Sequence, residues 1–346
     1  MAVQQVDVRL EQSCALAQQF PVLKNRGHHI NAYFSAQYIS FFNCTWLILN
    51  DIILGLAVGA FICDNHRPIA ELLLWRTKQI AISHVESSLS WLDNWPAGLK
   101  LNTELSSFYR FTFTGLLAVS DSVIDHLAHH LPTVVFIIGA AGPLGLTMIL
   151  SLLSDLLSLI TFHLYLSYLL ATTIFRHQLV TARSLFNLFR GRRRNVLRHR
   201  TDWWDYDIDQ LLLGTMVFTL VSFLFPTVVV YYALFALSRL VIILIHAALE
   251  TALAFMNHFP LFALTVRMKD PWRLPGTVAI FVIVQHIPDN APLPFSNIFF
   301  QYLVLWSRLS AHYSPVRLLG SVVRGKYLTP IPRYSIRYRI YPDRRS

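Results

Sequence analysis

Hydrophobic residues are grouped along the chain in long blocks, and the longest block without a charge is Leu211–Leu237. A helix that crosses a membrane needs about 20 apolar residues. The 27 residues of this block would extend roughly 40 Å as a helix. Pro226 lies inside the block, where it removes a backbone hydrogen bond and bends a helix. The pattern predicts a kinked span over residues 211–238.

A second apolar block, Leu131–Phe175, is interrupted only by Asp155 and His163. Because it is about twice as long as one crossing requires, it predicts an apolar hairpin over residues 111–175. Two positions for the turn stay open. The first is marked by the helix-breaking residues Gly139, Gly142, Pro143 and Gly145. The second, near Asp155, gives two tidier spans but has no turn residue.

Two further stretches are apolar but carry ionisable residues. Residues 41–63 predict a first span, and Asp51 within it is expected to face protein rather than lipid because insertion is marginal. Residues 239–266 contain His246 and Glu250. They predict either a fifth span or a helix packed along the membrane interface.

The segments that flank the first span are more polar. Residues 1–40 form an N-terminal segment, and no signal peptide is expected because the first 24 residues include Asp7 and Glu11 and lack an apolar core. Residues 64–110 are expected to be cytosolic and to contain an amphipathic helix on the membrane or on a partner. The apolar positions of that helix are Leu73, Ile80, Val85, Leu89 and Leu92.

The composition agrees with a membrane protein. The chain is 54% hydrophobic and only 14% charged, whereas soluble domains carry about 25% charged residues. Three cysteines without paired spacing exclude a disulfide scaffold and a thiolate zinc cluster. The predicted fold class is therefore an all-α polytopic membrane protein. It has about 4–6 transmembrane helices, an amphipathic interfacial helix and a short extended basic C-terminal tail.

The positive charge is concentrated in the second half of the chain. Residues 1–175 hold 8 Lys/Arg and 11 Asp/Glu, and residues 176–346 hold 21 and 8, which gives −3 and +13. Residues 176–210 form an Arg-rich and then Asp-rich loop, which the positive-inside rule places in the cytosol. The basic C-terminal region, residues 267–346, is expected on the same side. It contains a predicted linker at 288–294 and an extended stretch at 334–341.

The arginines of this loop are candidates for binding phosphate, because guanidinium groups bind phosphate oxygens in bidentate fashion. The ligand would be a phospholipid headgroup or a nucleotide pyrophosphate, and the alternative is a plain topology signal. The candidate residues are Arg190, Arg192, Arg193, Arg194 and Arg198.

The acidic residues that follow allow two interpretations. Asp205 and Asp207 match the Asp-x-Asp pattern with which many glycosyltransferases hold a metal and a nucleotide sugar. The second interpretation, which we favour, is that Asp205, Asp207 and Asp209 cap the following helix and complement its dipole. His126, His129 and His130 have the spacing of a di-iron histidine box, but too few other histidines accompany them. No metal and no other cofactor is predicted.

Four ionisable residues lie inside apolar blocks, which makes each one a candidate for a functional site or for a helix-packing contact. They are Asp51, Asp155, His163 and Glu250. Asp155 and His163 are eight residues apart, so they would lie on one face of a continuous helix.

Several runs of residues resemble the signature of one family, the Q subunit (PIG-Q) of phosphatidylinositol N-acetylglucosaminyltransferase. They are Arg190–Arg198, Asp205–Asp207, Asp209–Thr215, Phe218–Thr219, Phe223–Val228, Tyr231–Tyr232, Pro96–Asn102 and Asp155–His163. The family usually shows Gly-Lys-Lys where this chain has Gly191, Arg192 and Arg193, so the charge is kept. Its long N-terminal region is short or absent here, which leaves open that the chain is a truncated member.

The resemblance implies a complex of the endoplasmic reticulum membrane that transfers N-acetylglucosamine from its UDP donor to phosphatidylinositol on the cytosolic face. This is the first step in the synthesis of glycosylphosphatidylinositol (GPI) anchors. It also implies that a PIG-A-type subunit is catalytic and that this subunit assembles the complex with PIG-A, PIG-C and PIG-H types. The expected partners are these subunits, phosphatidylinositol and membrane lipid, and no nucleic acid. An enzyme that uses Asp205 and Asp207 itself and a transporter remain the alternatives.

Overall fold

The computed structural model describes residues 1–24, 32–94, 98, 100–195, 197–259, 261–269, 306–307, 310 and 314–328. The predicted linker at 288–294 and the predicted extended stretch at 334–341 lie outside these residues. The first helices are α1 (Ala2–Lys24), α2 (Ala32–Asp64), α3 (His66–Thr77), α4 (His84–Asp93) and α5 (Thr103–Ala128). They are followed by α6 (Leu131–Ala140), α7 (Leu146–Ile160), α8 (Phe162–Phe189), α9 (Ile208–His258), α10 (Leu261–Lys269) and α11 (Pro315–Val323).

Among the described residues, two helices are long and apolar enough to cross a membrane, namely Phe41–Asp64 in α2 and Ile208–Asn257 in α9. Two bent pairs pass the same test when each is taken as one span. They are α5 with Leu131–Leu144, bent by 60°, and α7 with α8, bent by 52°. The protein is thus mostly helical with two to four candidate spans. This range meets the expected 4–6 spans only at four, so the described residues do not confirm the expected number.

Residues 239–258 of the stretch predicted as a fifth span or an interfacial helix do not form a helix of their own, because α9 is a single helix of 51 residues. Its sequence has neither glycine nor proline between Pro226 and Phe259, so nothing interrupts the backbone hydrogen bonds there. Phe259 has extended backbone angles and precedes Pro260. Since proline disfavours the helical conformation of the residue before it, the helix ends at this point.

The predicted apolar hairpin is divided further than the sequence indicates. A 3-10 turn at Gly142–Leu144 separates α6 from α7, and one helix runs through Asp155. Additional breaks at His129 and His130 and at Thr161 divide each arm into two helices. The hairpin is therefore two bent arms rather than two straight spans.

The predicted loop over residues 176–210 is largely ordered. α8 continues to Phe189, and two short strands, β1 (Arg192–Asn195) and β2 (Arg200–Trp203), form an antiparallel hairpin before α9 begins. The fold is therefore not purely α-helical. α8 is amphipathic beyond the apolar block, which explains why a pattern of hydrophobicity ends the helix too early.

Aromatic side chains hold α8 and α9 together in antiparallel orientation. The rings of Phe175 and Tyr232 are stacked with centroids 4.3 Å apart, and those of Phe189 and Phe218 meet edge to face at 5.3 Å. Aromatic pairs of this kind contribute about 0.5–1.5 kcal/mol beyond the area that they bury. α5 joins the same core, where Phe113 packs against Phe235 at 4.3 Å.

The segment predicted to contain an amphipathic helix is helical as α3 and α4, which are joined by a π-helical turn at Lys78–Ser83. Val85, Leu89 and Leu92 are buried as expected, but Ile80 is exposed and Ala81 is buried in its place. Adjacent residues of a helix point about 100° apart. Ala81 is therefore in phase with Val85 and Leu89, and Ile80 is not.

Candidate functional site

The predicted phosphate-binding residues lie on the β-hairpin between α8 and α9. Gly191 ends α8 with a positive φ of 60°, and its N–H donates to the Leu188 carbonyl at 3.0 Å. At the other end of the hairpin, the Asn195 side-chain oxygen accepts the N–H groups of Leu197 and Arg198. These two turns place the arginines on a short two-stranded ribbon rather than on a helix.

The strand register brings arginine and tryptophan side chains together. Arg192 is paired with Trp203 across the ribbon. The Arg192 guanidinium lies 5.4 Å from the Trp203 ring centroid, and that of Arg193 lies 4.9 Å from the Trp204 ring centroid. Arg194 is paired with Thr201 in the register. The clustering of charge in the sequence indicated these arginines but not the two tryptophans, which the motif Thr-Asp-Trp-Trp could have indicated.

The acidic residues beside the ribbon have separate surroundings. Asp202 accepts a hydrogen bond from the Asn195 amide at 3.1 Å and forms an ion pair with Arg200 at 2.7 Å. Asp205 and Asp207 are exposed. Asp207 is the N-cap residue of α9 by position, but its side chain makes no capping hydrogen bond. Asp209 lies in the first turn of α9, where a negative charge complements the helix dipole.

No group of three or more His, Cys, Asp or Glu side chains among the described residues is placed to hold a metal ion. His126 contacts the Ser122 carbonyl oxygen at 3.1 Å, and the His129 and His130 rings meet edge to face at 5.2 Å. The three histidines lie at the bend between α5 and α6.

The first turns of α9 expose a hydrophobic face next to the ribbon. On the other face, Gly214 and Phe218 pack against α8 at Leu188 and Phe189. The exposed residues are Leu212, Leu213, Met216, Leu220 and Phe223. A face of this kind is covered by lipid or by another protein, since soluble monomers rarely expose a large contiguous apolar patch.

A second polar cluster lies inside the helical bundle around Asp51, whose side chain is only 3% exposed. Its carboxylate accepts the backbone N–H of Thr147 at 3.0 Å and the Thr147 hydroxyl at 2.8 Å. Arg9 of α1 forms an ion pair with the same carboxylate and donates to the Thr147 hydroxyl at 2.8 Å. Three helices, α1, α2 and α7, meet at this group.

The cluster continues to the far end of α9. The Gln5 amide donates to Thr147 at 2.9 Å and to the Asn257 side-chain oxygen at 3.1 Å. Asn257 donates back to the Gln5 oxygen at 3.1 Å. The sequence did not indicate Gln5, Arg9 and Thr147, because the residues around a polar side chain carry no signal for its distant partner.

The remaining predicted intramembrane residues do not form one site. Asp155 is bound by the Met1 amine at 2.6 Å, whereas His163 lies beyond the break at Thr161 and contacts the Ala81 carbonyl at 3.2 Å. The expectation that Asp155 and His163 share one helix face is therefore wrong. Glu250 is buried in α9.

Two glycines of α2 allow its backbone to contact the turn between α6 and α7. A Cβ atom added to Gly59 would lie 2.5 Å from the Gly139 carbonyl oxygen, and one added to Gly55 would clash with the Gly142 carbonyl oxygen. Gly55 and Gly59 form the Gly-x3-Gly pattern that lets membrane helices approach closely. This pattern was present in the sequence and could have predicted the contact.

The comparisons with known proteins agree on one family. Residues 3–276 match the family described as N-acetylglucosaminyl transferase component (Gpi1). The chain is 36% identical over 365 residues to the N-acetylglucosaminyl-phosphatidylinositol biosynthetic protein gpi1 of Schizosaccharomyces pombe, with 100% of this chain and 55% of the relative covered. It is 31% identical over 373 residues to subunit GPI1 of the phosphatidylinositol N-acetylglucosaminyltransferase of Saccharomyces cerevisiae, covering 98% of this chain and 61% of the relative.

The human subunit Q of phosphatidylinositol N-acetylglucosaminyltransferase is 33% identical over 261 residues, which covers 73% of this chain and 34% of the relative. The chain thus spans between about a third and three fifths of the length of these relatives. No solved structure matches the chain.

Proposed function

The chain belongs to the Gpi1 family of N-acetylglucosaminyl transferase components, and from this membership we propose that it is a membrane subunit of a phosphatidylinositol N-acetylglucosaminyltransferase complex. The complex transfers N-acetylglucosamine from UDP-N-acetylglucosamine to phosphatidylinositol, the first step of GPI-anchor biosynthesis. The single observation that carries this proposal is the family match over residues 3–276.

We assign the subunit an assembly role rather than a catalytic one. The apolar face of α9 supports this assignment, because it is suited to a lipid or a partner helix. The partners would be subunits of the PIG-A, PIG-C and PIG-H types, with the PIG-A type as the catalytic one. The subunit would also contact phosphatidylinositol and other membrane lipids.

The proposed location is the endoplasmic reticulum membrane, with several spans and with the ribbon of β1 and β2 in the cytosol. The support for this orientation is the eight arginines between Arg176 and Arg200. Such a concentration of Lys and Arg close to a span favours the cytosolic side. A protease-protection map of microsomes tests it, and cleavage at the ribbon only after the membrane is opened would contradict it.

The function is tested by complementation. Fission yeast depleted of its own gpi1 would receive this chain, and microsomes would be assayed for transfer from UDP-N-acetylglucosamine to phosphatidylinositol. We expect the chain to restore transfer and to co-purify with the other subunits. If the chain reaches the membrane and transfer stays absent, the proposal is wrong.

The double variant Asp205→Asn with Asp207→Asn separates assembly from catalysis. Asparagine keeps the helix-capping propensity of aspartate but cannot provide a carboxylate for a metal. We expect transfer per assembled complex to stay unchanged. Normal recovery of the complex with no turnover would instead favour a glycosyltransferase that uses these carboxylates.

A further inference from the structure

The ribbon between α8 and α9 combines exposed cations with exposed aromatic rings at the end of an apolar helix pair. We propose that the arginine ribbon, which comprises residues 190–195 and 197–204, binds the phosphate groups of anionic phospholipids at the membrane surface. This inference concerns the chain alone. It can therefore fail or hold independently of the proposed role in glycosyl transfer.

The contacts of the arginines leave their N–H donors available to phosphate. The guanidinium carbon of Arg192 lies 5.4 Å from the Trp203 ring centroid, and that of Arg193 lies 4.9 Å from the Trp204 ring centroid. Because a cation–π contact uses the charge of the guanidinium and not its hydrogen-bond donors, these donors can bind two phosphate oxygens. Neither arginine forms an ion pair with a carboxylate in the part of the chain that the structure describes.

The ribbon has a net positive charge, which favours the binding of an anion. Residues 190–204 contain six arginines and one aspartate, a net charge of +5 with histidine neutral. That aspartate, Asp202, is already bound by Asn195 and Arg200. Each Lys or Arg close to an anionic leaflet adds to the attraction. The net charge of the ribbon therefore favours its binding to such a surface.

The apolar side chains of the ribbon indicate a lipid rather than a free nucleotide. Trp203 is 78% exposed and Leu197, at the tip, is 94% exposed. Small-molecule sites are concave and cover most of their ligand, whereas this ribbon is open. Tryptophan is enriched at the level of the lipid headgroups, where its ring is partly buried and its N–H stays hydrated. The exposed apolar side chains at the start of α9 follow the ribbon directly, as expected where a helix enters the hydrocarbon from the headgroup level.

The test uses the full chain in detergent micelles and follows tryptophan fluorescence during titration with short-chain phosphatidylinositol, short-chain phosphatidylcholine or UDP. We expect phosphatidylinositol to bind most tightly, and its affinity to fall as salt is raised because screening shortens the range of the attraction. Arg192→Gln with Arg193→Gln should weaken binding by about 10- to 30-fold, since two contacts of about 1 kcal/mol are lost.

Two matched variants control for net charge. Arg324→Gln with Lys326→Gln removes two exposed cations at another place and should leave the affinity unchanged. Asp205→Asn with Asp207→Asn removes two repelling charges next to the ribbon and should raise the affinity a few-fold. Equal loss in the Arg192/Arg193 and Arg324/Lys326 variants, no preference for phosphatidylinositol, or tighter binding of UDP would overturn the inference. Circular dichroism verifies that each variant is folded.

Discussion

Asp51 in α2 caps the first turn of α7, because its carboxylate accepts the backbone N–H of Thr147 at 3.0 Å. The four N–H groups at the start of a helix have no partner within the helix, and side-chain acceptors usually come from the residue just before it. Here Gly145 occupies that position and has no side chain. The acceptor comes instead from another helix, so the capping contact also fixes how α2 and α7 pack.

Replacing Asp51 should therefore destabilise the bundle strongly. Asp51→Ala removes the carboxylate that pairs with the Arg9 guanidinium and accepts the Thr147 N–H, and breaking a buried ion pair costs about 3–5 kcal/mol. Asp51→Asn should cost less, because an amide oxygen can still accept from Thr147. The measurement is the midpoint of thermal unfolding in detergent. Asp64→Asn, on the exposed end of the same helix, should not change it, and an equal shift would contradict this explanation.

The contact between α2 and the turn before α7 should not tolerate a single methyl group. Gly59→Ala places a Cβ atom 2.5 Å from the Gly139 carbonyl oxygen, and Gly55→Ala meets Gly142 in the same way. Since backbone atoms cannot rotate away, the helices must separate, at a cost of about 1–3 kcal/mol. Gly115→Ala has no atom within 4 Å of the new Cβ. It should be neutral or slightly stabilising in the same unfolding assay.

The Tyr231 hydroxyl should contribute measurably to the packing of α9 against α5. It lies 2.7 Å from the Ser106 hydroxyl in a buried position. Tyr231→Phe keeps the ring stacked on Tyr109 but leaves Ser106 with one fewer partner, which costs about 1–2 kcal/mol. Tyr327→Phe, whose hydroxyl meets Thr173 at an exposed site, should cost much less. Similar losses in both variants would show that burial does not determine the cost.

The arginine ribbon should become more accessible to protease when its first turn is disturbed. Gly191 has a φ of 60°, a conformation that costs most other residues about 1–2 kcal/mol. Gly191→Ala should therefore loosen the ribbon locally and speed trypsin cleavage at its arginines without lowering the unfolding midpoint of the bundle. Gly320→Ala, which has open space around its Cβ, should leave the cleavage rate unchanged. An unaltered cleavage rate in Gly191→Ala would mean that the conformation of Gly191 does not determine how well the ribbon is ordered.

Patterns of hydrophobicity were sufficient to locate the apolar helices but not their ends. The block around Pro226 is helical as predicted, and the breakers at Gly142 and Gly145 do separate two helices. The end of α8 and the length of α9 were missed, because an amphipathic helix has no apolar block and a helix can continue through Ser238 and Arg239 without penalty. Charge and hydropathy indicate whether a helix is in contact with lipid or water, but they do not fix the residues at which it begins and ends.

The candidate sites were also only partly predictable from the sequence. Arginines clustered in the sequence remained clustered in space, since they lie on one short ribbon. The partners of Asp51 could not be predicted, because Arg9 and Thr147 are 42 and 96 residues away from it along the chain. Pairings of this kind depend on how helices pack, which a single sequence does not encode locally.

α9 is one continuous helix that links the arginine ribbon to the polar cluster around Asp51. Its 51 residues correspond to about 75 Å of helix, with Trp204 and the ribbon before its first turn and Asn257 anchored to Gln5 in its last. Because Pro226 has no backbone N–H, one carbonyl oxygen in the preceding turn of α9 lacks its hydrogen bond, and the helix should bend most easily there. A 10° change of direction at Pro226 would displace the ribbon by about 5 Å. The ribbon would then move relative to the bundle, whereas the end of α9 at Asn257 would stay fixed by its contact with Gln5.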